Sequence, residues 1–289
     1  MKSFRRLTGV DLAFSLRNTS IEAVEVKSRV RKLVLGIRLL IGNIIKNKRE
    51  LHDITEWDSF RVWRYSTSML ATKHNVSFVD EPRFQEAYDA AVRAAQRDHW
   101  NAGLHFRVHQ ALWCADNALL TGGSLVELGT GRGMMFSAIL SAIPDWSQRT
   151  NRVFLFDTYS SSAMNSETGF QDERLGASPV YAQSFEKTKQ TFSKWERVSL
   201  VKGLLPDSLA NVELGQIAFL HIDLNSHVVE ATCLKQLWPK LLPGSVVLLD
   251  DYAHVNSERQ YEAMNACARE LGISILTLAS GQGIIIKPK

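Results

Sequence analysis

From Ser124 onward, short and mostly apolar runs alternate with stretches of helical periodicity. The runs Ser124–Leu128, Val153–Asp157, Val198–Lys202, Ile217–Asp223, Ser245–Asp250, Ile275–Leu278 and Ile284–Ile286 are too short for helices. Runs of this kind read as strands buried on both faces, as in a parallel sheet covered by helices. The covering helices are predicted over Met134–Ile143, Phe185–Trp195, Val229–Leu241 and Ser257–Leu271. Alternation of this kind predicts an α/β, doubly wound, mostly parallel sheet of seven strands. The last two strands meet around Gly281-Gln282-Gly283, which predicts an antiparallel hairpin at their end of the sheet.

Upstream of Ser124 the pattern is purely helical. Glu81 to Leu120 predicts two helices broken near Asn101-Ala102-Gly103. Thr19-x-x-Glu22 has the form of a capping box opening a long helix to about Leu51. Its apolar positions include Val26, Val30, Leu33, Ile37, Leu40, Ile41 and Ile44, and Arg29, Arg31, Lys32, Arg38, Lys46, Lys48 and Arg49 flank them. The plain expectation is a helix packed on the main domain or on a second subunit, which favours a homodimer or higher homo-oligomer. The alternative is a helix lying on an anionic membrane surface. Two parts result: an N-terminal helical extension over residues 1–75 and an α/β domain over residues 76–289.

Composition narrows this picture a little. A net charge of +4 over 289 residues, with much of the basic excess between Lys27 and Arg49, is too mild to argue for nucleic acid. Cys114, Cys233 and Cys267 form no CxxC pair, which suggests a reducing compartment and neither a disulfide framework nor a zinc site. Leu33 to Ile45 is interrupted by Gly36, Arg38, Gly42 and Asn43, and a membrane span needs about 20 apolar residues. No secretory signal is visible from Met1 to Arg17. A cytoplasmic location without membrane association is expected.

The chemistry collects at strand ends, where open α/β sheets bind ligands. Val126-Glu127-Leu128-Gly129-Thr130-Gly131-Arg132-Gly133 follows the first strand of the alternating part and opens a helix. Its glycines let a ligand approach the backbone. Their spacing is G-x-G-x-G, not the G-x-G-x-x-G of dinucleotide binding, which opposes a nicotinamide-dependent oxidoreductase. Asp157 ends the next strand, where a carboxylate accepts hydrogen bonds from ribose hydroxyls of either cofactor class. Asp223 ends the fourth strand and Asp250-Asp251 the fifth. If those strands are neighbours, three carboxylates converge and select a hard divalent cation such as Mg²⁺, Ca²⁺ or Mn²⁺. The alternative is a hydrogen-bonded polar cluster without metal. His221 lies two residues before Asp223, deeper on the same face, and reads as a core histidine.

The glycine loop resembles motif I of class I S-adenosylmethionine-dependent methyltransferases, where it holds the methionine end of the cofactor. The whole alternating part resembles the macrocin-type (TylF-like) O-methyltransferases. The likeness rests on Glu127 to Gly133, Leu155-Phe156-Asp157-Thr158-Tyr159, Val201-Lys202-Gly203, Pro206-Asp207-Ser208-Leu209, Asp223 and Asp250-Asp251-Tyr252, with Phe106-Arg107-Val108-His109 and Trp113-Cys114-Ala115 upstream. It runs from about Phe84 to the C-terminus and leaves residues 1 to about 75 outside.

This resemblance implies a Rossmann-like class I methyltransferase sheet and methyl transfer to a hydroxyl of a small molecule, a sugar or natural product. It implies S-adenosylmethionine held by Glu127, Gly129, Thr130, Gly131, Gly133, Asp157, Thr158, Lys202, Gly203 and Asp223. It also implies Mg²⁺, or another hard divalent cation, on Asp223, Asp250 and Asp251. One departure stands out: where the family carries a further aspartate, proposed as general base, this chain has Asn225, which takes no proton. His227 is then the candidate base, ahead of His254, with Asn225 orienting substrate or water. The other repairs are a metal that makes the alkoxide alone, or an acceptor that is already acidic. The same departure leaves a second reading, a catalytically silent cofactor-binding scaffold. Acceptor selectivity is expected from the N-terminal helices, the Thr158–Ala182 segment (with a lid, or equally a plain flexible loop, over Ser160 to Gly176) and the Ala253–Glu258 loop.

Overall fold

A computed structural model of the chain describes residues 65–67, 70–72, 74–95, 103–159 and 185–289. The chain divides into two units, 1–62 and 63–289, and all described residues belong to the second. The predicted N-terminal helix, the membrane-surface alternative and the predicted lid lie outside the described residues.

The second unit opens with a two-stranded antiparallel ribbon, β1 (Tyr65–Thr67) and β2 (Leu70–Thr72), which the hydrophobic pattern did not announce. Helices α1 (Pro82–Ala95) and α2 (His105–Ala118) follow, separated as predicted by a break that includes Gly103. The alternating part then runs β3 (Ser124–Leu128), α3 (Met134–Ala142), β4 (Val153–Asp157), α4 (Phe185–Phe192), β5 (Val198–Lys202) and β6 (Ile217–Ile222). It continues through α5 (His227–Leu237), β7 (Leu241–Leu249), α6 (Glu258–Leu271), β8 (Leu276–Thr277) and β9 (Gly283–Ile286).

The seven strands of the main sheet are ordered β5-β4-β3-β6-β7-β9-β8. The first five are parallel; β9 is antiparallel to both β7 and β8, so the predicted hairpin exists. β6 and β7 are neighbours, the condition on which the convergence of the acids depended.

Successive side chains of a strand point to opposite faces, and here both faces are covered. Leu125, Val153, Leu155, Phe219, Val246 and Leu248 face one apolar core with α1, α2 and α3. Val126, Leu128, Phe154, Phe156, Leu220, Ile222, Val247 and Leu249 face the other, with α5 and α6. Burial on both sides is why these strands read as continuous apolar runs.

Two boundaries differ from expectation for local reasons. β7 starts at Leu241 rather than Ser245, because Pro243-Gly244 forms an irregularity within the strand. Gly244 there has φ +83° and donates its N–H to the Lys287 carbonyl, so the ladder continues past a residue pair that normally ends strands. α5 starts two residues before Val229, with Ser226 at its N-cap, and gives way at Trp238 to a 3₁₀ turn around Pro239.

Candidate active site

At the carboxyl ends of β3, β4, β6 and β7 the face covered by α2 changes from apolar to ionisable. Alternation carries Leu125 to Glu127, Leu155 to Asp157, Phe219 to His221 and Asp223, and Leu248 to Asp250. One sheet face thus delivers five titratable groups to one rim.

Glu127 and His221 are register partners on adjacent strands. His221 Nδ1 lies 3.0 Å from Glu127 Oε1, and His221 Nε2 lies 3.6 Å from Asp250 Oδ1. All three side chains are essentially sealed from solvent. Burial opposes the charge on His221, but the two carboxylates, Glu127 hydrogen-bonded and Asp250 3.6 Å away, outweigh it and push the imidazole up to about 10. The two acids thereby favour the imidazolium form. Burial likewise pushes Glu127 up, against the opposing pull of His221. Asp250 goes the other way: burial alone would raise it, and Arg107, His221 and Gln282 hold it well below the usual carboxylate range.

The reading of His221 as a core histidine is therefore right about depth and incomplete about partners. Arg107 and Gln282, which no site reading used, complete the cluster. Arg107 Nη2 lies 2.6 Å from Asp250 Oδ2 and 2.9 Å from Asp251 Oδ1, and Gln282 Nε2 donates to Asp250 Oδ1 at 2.6 Å. No local pattern marks either residue, since Arg107 sits 143 positions from Asp250 on a helix and Gln282 sits in a hairpin turn.

The glycine loop wraps this cluster. Gly129, at φ +93°, lies so close to the end of β6 that a Cβ would fall 1.9 Å from the Asp223 carbonyl oxygen. Gly131, at φ +52°, has no described residue within 4 Å of the equivalent point. Gly129 thus serves the fold, while Gly131 leaves the space of a side chain free beside the loop among the described residues. Gly133 caps α3. Glu127 Oε2 and Thr130 Oγ1 are buried here and make no hydrogen bond among the described residues. Orphaned buried polar atoms beside an open loop fit a ligand with donor groups, such as the amino-acid end of the implied cofactor. Asp157 Oδ2 accepts the Gly131 N–H (2.7 Å) and Oδ1 accepts the Tyr159 N–H (2.8 Å), with Thr158 between. Each of its oxygens keeps a second lone pair for a ribose hydroxyl. Lys202 pairs in register with Asp157, and the Gly203 N–H donates to the Asp157 carbonyl.

Asp223 reaches the same rim. Burial, then Asp250 and Asp251, push its carboxyl well up. Asn225 follows in a left-handed turn at φ +56°, a conformation Asn adopts more readily than most residues. Glu230 orders this turn from beneath, accepting backbone N–H groups of Leu224, Ser226 and Asn225; burial and then Asp251 push it up to about 8. His227 opens α5, and partial burial and Arg259 lower its imidazole. His254 lies in the loop after β7, its Nδ1 3.2 Å from the Val255 carbonyl.

The metal expectation meets a different arrangement. No group of three or more His, Cys, Asp or Glu side chains among the described residues is arranged to hold a metal ion. Asp250 spends one carboxylate oxygen on Gln282 and the other on Arg107, whose guanidinium also takes Asp251. As they stand, with Asp250 and Asp251 engaged by Arg107 and Gln282, the residues do not fit a divalent ion.

A parallel sheet in this order, closed by an antiparallel hairpin and carrying a glycine loop and an acid at the first two strand ends, is the class I methyltransferase fold. The solved structure of the O-methyltransferase NovP shares it, with a TM-score of 0.57 and 21% identity, covering 63% of this chain and 80% of that one. The sequence matches the macrocin O-methyltransferase family (TylF) over residues 37–275, and the chain belongs to that family of methyltransferases. The match begins well before Phe84, where the resemblance was expected to start. A 4'-O-methyltransferase of a rhamnosyl-tetracenomycin from Streptomyces olivaceus is 28% identical over 208 residues, 65% of this chain and 79% of that protein. The demethyldecarbamoylnovobiocin O-methyltransferase of Streptomyces niveus is 26% identical over 180 residues, 57% and 68% of the two chains.

Proposed function

We propose that this chain transfers the methyl group of S-adenosylmethionine to a hydroxyl of a small-molecule sugar or natural product. The observation that carries the reading is the pairing of side-chain-sized space at Gly131 with Glu127 Oε2, which makes no hydrogen bond among the described residues, at one sheet rim. The acceptor class rests on the family and on relatives that methylate glycosylated natural products. When bound, the cofactor supplies an activated methyl group on a sulfonium.

The chain's own residues bind and orient. Glu127, with Thr130 and the loop from Gly129 to Gly133, holds the amino-acid end, and Asp157, with Thr158, Lys202 and Gly203, holds the ribose side. Asp223 faces both ligands from the end of β6. Asn225 donates and accepts hydrogen bonds but takes no proton, so it orients the acceptor hydroxyl. His227 is the base of this proposal: its lowered pKa keeps the imidazole neutral and able to accept the hydroxyl proton. A Mg²⁺ ion on Asp223, Asp250 and Asp251 has the family resemblance behind it, but the contacts of Arg107 and Gln282 speak against it, and no step relies on it. A homodimer in the cytoplasm, without nucleic-acid or membrane partners, completes the proposal; among the described residues no helix is long and apolar enough to cross a membrane.

Calorimetric titration with S-adenosylhomocysteine, followed by transfer of labelled methyl to sugar and phenol acceptors, tests the reading. Binding with turnover is expected. Absence of binding overturns it, and binding without turnover on either acceptor class favours the silent scaffold that Asn225 suggests.

A further inference from the structure

The acid pair at the end of β7 has a cation of its own. Arg107 enters from the first turn of α2, and its Nη2 has three oxygens around it. Asp250 Oδ2 is at 2.6 Å, the Asp250 carbonyl at 2.6 Å and Asp251 Oδ1 at 2.9 Å. An oxygen-only donor set dominated by carboxylates is what a hard divalent ion takes. Here a guanidinium takes it. That group is always charged and weakly hydrated, which suits a buried ion pair. The pair is dry: the side chains of Arg107, Asp250 and Asp251 are 14%, 5% and 17% exposed.

A second set of contacts fixes the arrangement. Gln110, one turn after Arg107 on the same face of α2, accepts a hydrogen bond from Ser280 Oγ, and Gln282 Nε2 holds Asp250 Oδ1. Arg107 and Gln110 thereby join α2 to the rim at the end of β7 and at the β8–β9 turn. A metal ion on the pair has to break the contacts at Nη2 and leave a guanidinium to be resolvated. Removing one partner of a buried pair is strongly unfavourable.

We propose that Arg107 is the resident cation of the Asp250–Asp251 pair and that its guanidinium excludes a divalent metal ion from that seat. Arg107 is then a positioning residue: it holds the two carboxylates in a fixed geometry at the rim where the acceptor hydroxyl has to sit. The inference rests on the proposed site for its location and not on turnover.

The test is a Mn²⁺ titration of the full chain, read by the electron paramagnetic resonance signal of free Mn²⁺, on wild type, Arg107→Met and Arg107→Lys. S-adenosylhomocysteine binding by calorimetry is measured beside each. Wild type and Arg107→Lys are expected to bind Mn²⁺ weakly. Arg107→Met is expected to gain affinity by about tenfold or more, because the carboxylates lose their counter-charge. Stoichiometric, tight Mn²⁺ binding by wild type overturns the proposal, and so does an Arg107→Met protein that binds S-adenosylhomocysteine without any gain for Mn²⁺. If Arg107→Met fails to fold, wild type and Arg107→Lys decide, since tight binding by either overturns the exclusion. Weak Mn²⁺ binding together with absent S-adenosylhomocysteine binding defeats the methyltransferase reading and leaves this one standing.

Discussion

Replacing His221 by Gln removes a positive charge from between two buried carboxylates while keeping a side chain of similar reach. Glu127 and Asp250 then face each other across the site with one cation fewer, and Arg107, shared with Asp251, is the cation left at Asp250. Loss of one member from a buried ionic group costs about 3–5 kcal/mol. The raised pKa of His221 gives an independent bound. A change from 6.5 unfolded to about 10 folded corresponds to at most ~5 kcal/mol. Both figures are a large part of the ~5–15 kcal/mol that holds a domain together, so His221→Gln is expected to cost about 3 kcal/mol near pH 6.

The pH dependence separates charge from shape. A group whose folded pKa lies above its unfolded one contributes fully below the unfolded value, and loses that contribution as pH rises through the folded value. The stability gap between wild type and His221→Gln is therefore expected to be full below about pH 6.5 and to shrink toward pH 10. Urea denaturation of both proteins at half-unit steps from pH 6 to 10 reads the gap directly, and contributions common to both cancel. A gap that stays constant across that range refutes the imidazolium, and a gap under ~0.5 kcal/mol everywhere refutes its structural role.

Three further outcomes follow from the same rim. Glu127→Gln and Asp157→Asn are each expected to weaken S-adenosylhomocysteine about tenfold by calorimetry, the loss of one charge-assisted hydrogen bond worth ~1.5 kcal/mol; unchanged affinity in both removes these acids from the cofactor site. Gly129→Ala is expected to abolish folding, because its Cβ meets the Asp223 carbonyl, whereas Gly131→Ala keeps the fold in thermal melts and loses S-adenosylhomocysteine. Glu230, pushed up to about 8 by burial and Asp251, binds a proton more readily folded than unfolded, so its contribution is present below about pH 4.5 and lost as pH rises through 8. Glu230→Gln is accordingly expected to be neutral at pH 4 and stabilising by about 2 kcal/mol at pH 9, measured by denaturant unfolding.

The legible part of the site was the part written in contiguous residues. Asp223 and Asp250-Asp251 stand out because charges interrupt apolar runs, and the glycine loop stands out because its spacing is short. The strand count and the final hairpin were legible for the same reason: burial on both faces leaves unbroken apolar runs. Arg107 was not legible, because a basic residue in an amphipathic helix has the same pattern whether it meets solvent or a distant aspartate. Gln282 looked like part of a turn between two glycines, and its side chain reaches Asp250 only once β9 lies against β7. The electrostatic argument from the acid pair asked for a cation. Nothing local distinguished a metal ion from a guanidinium supplied 143 positions away.

The meeting of Glu127 with His221 depends on a feature smaller still. Ser124 pairs with Ile217, but Leu125 pairs with Phe219, so β6 carries one extra residue, Ala218, opposite β3. A bulge of this kind re-phases every position beyond it. Consistently, Ala218 and Phe219 both face the α1–α3 core although they are adjacent in sequence. Without the extra residue, Glu127 would pair with Leu220, whose side chain faces the opposite core with α5 and α6. A one-residue slip sends a strand's side chains to the other face, and it would leave a buried Glu127 with no imidazole to bond. The run Ile217–Ile222 shows no glycine or proline to mark the irregularity. The cofactor-side acid and the buried histidine therefore share one face because of Ala218, a residue with no chemistry of its own.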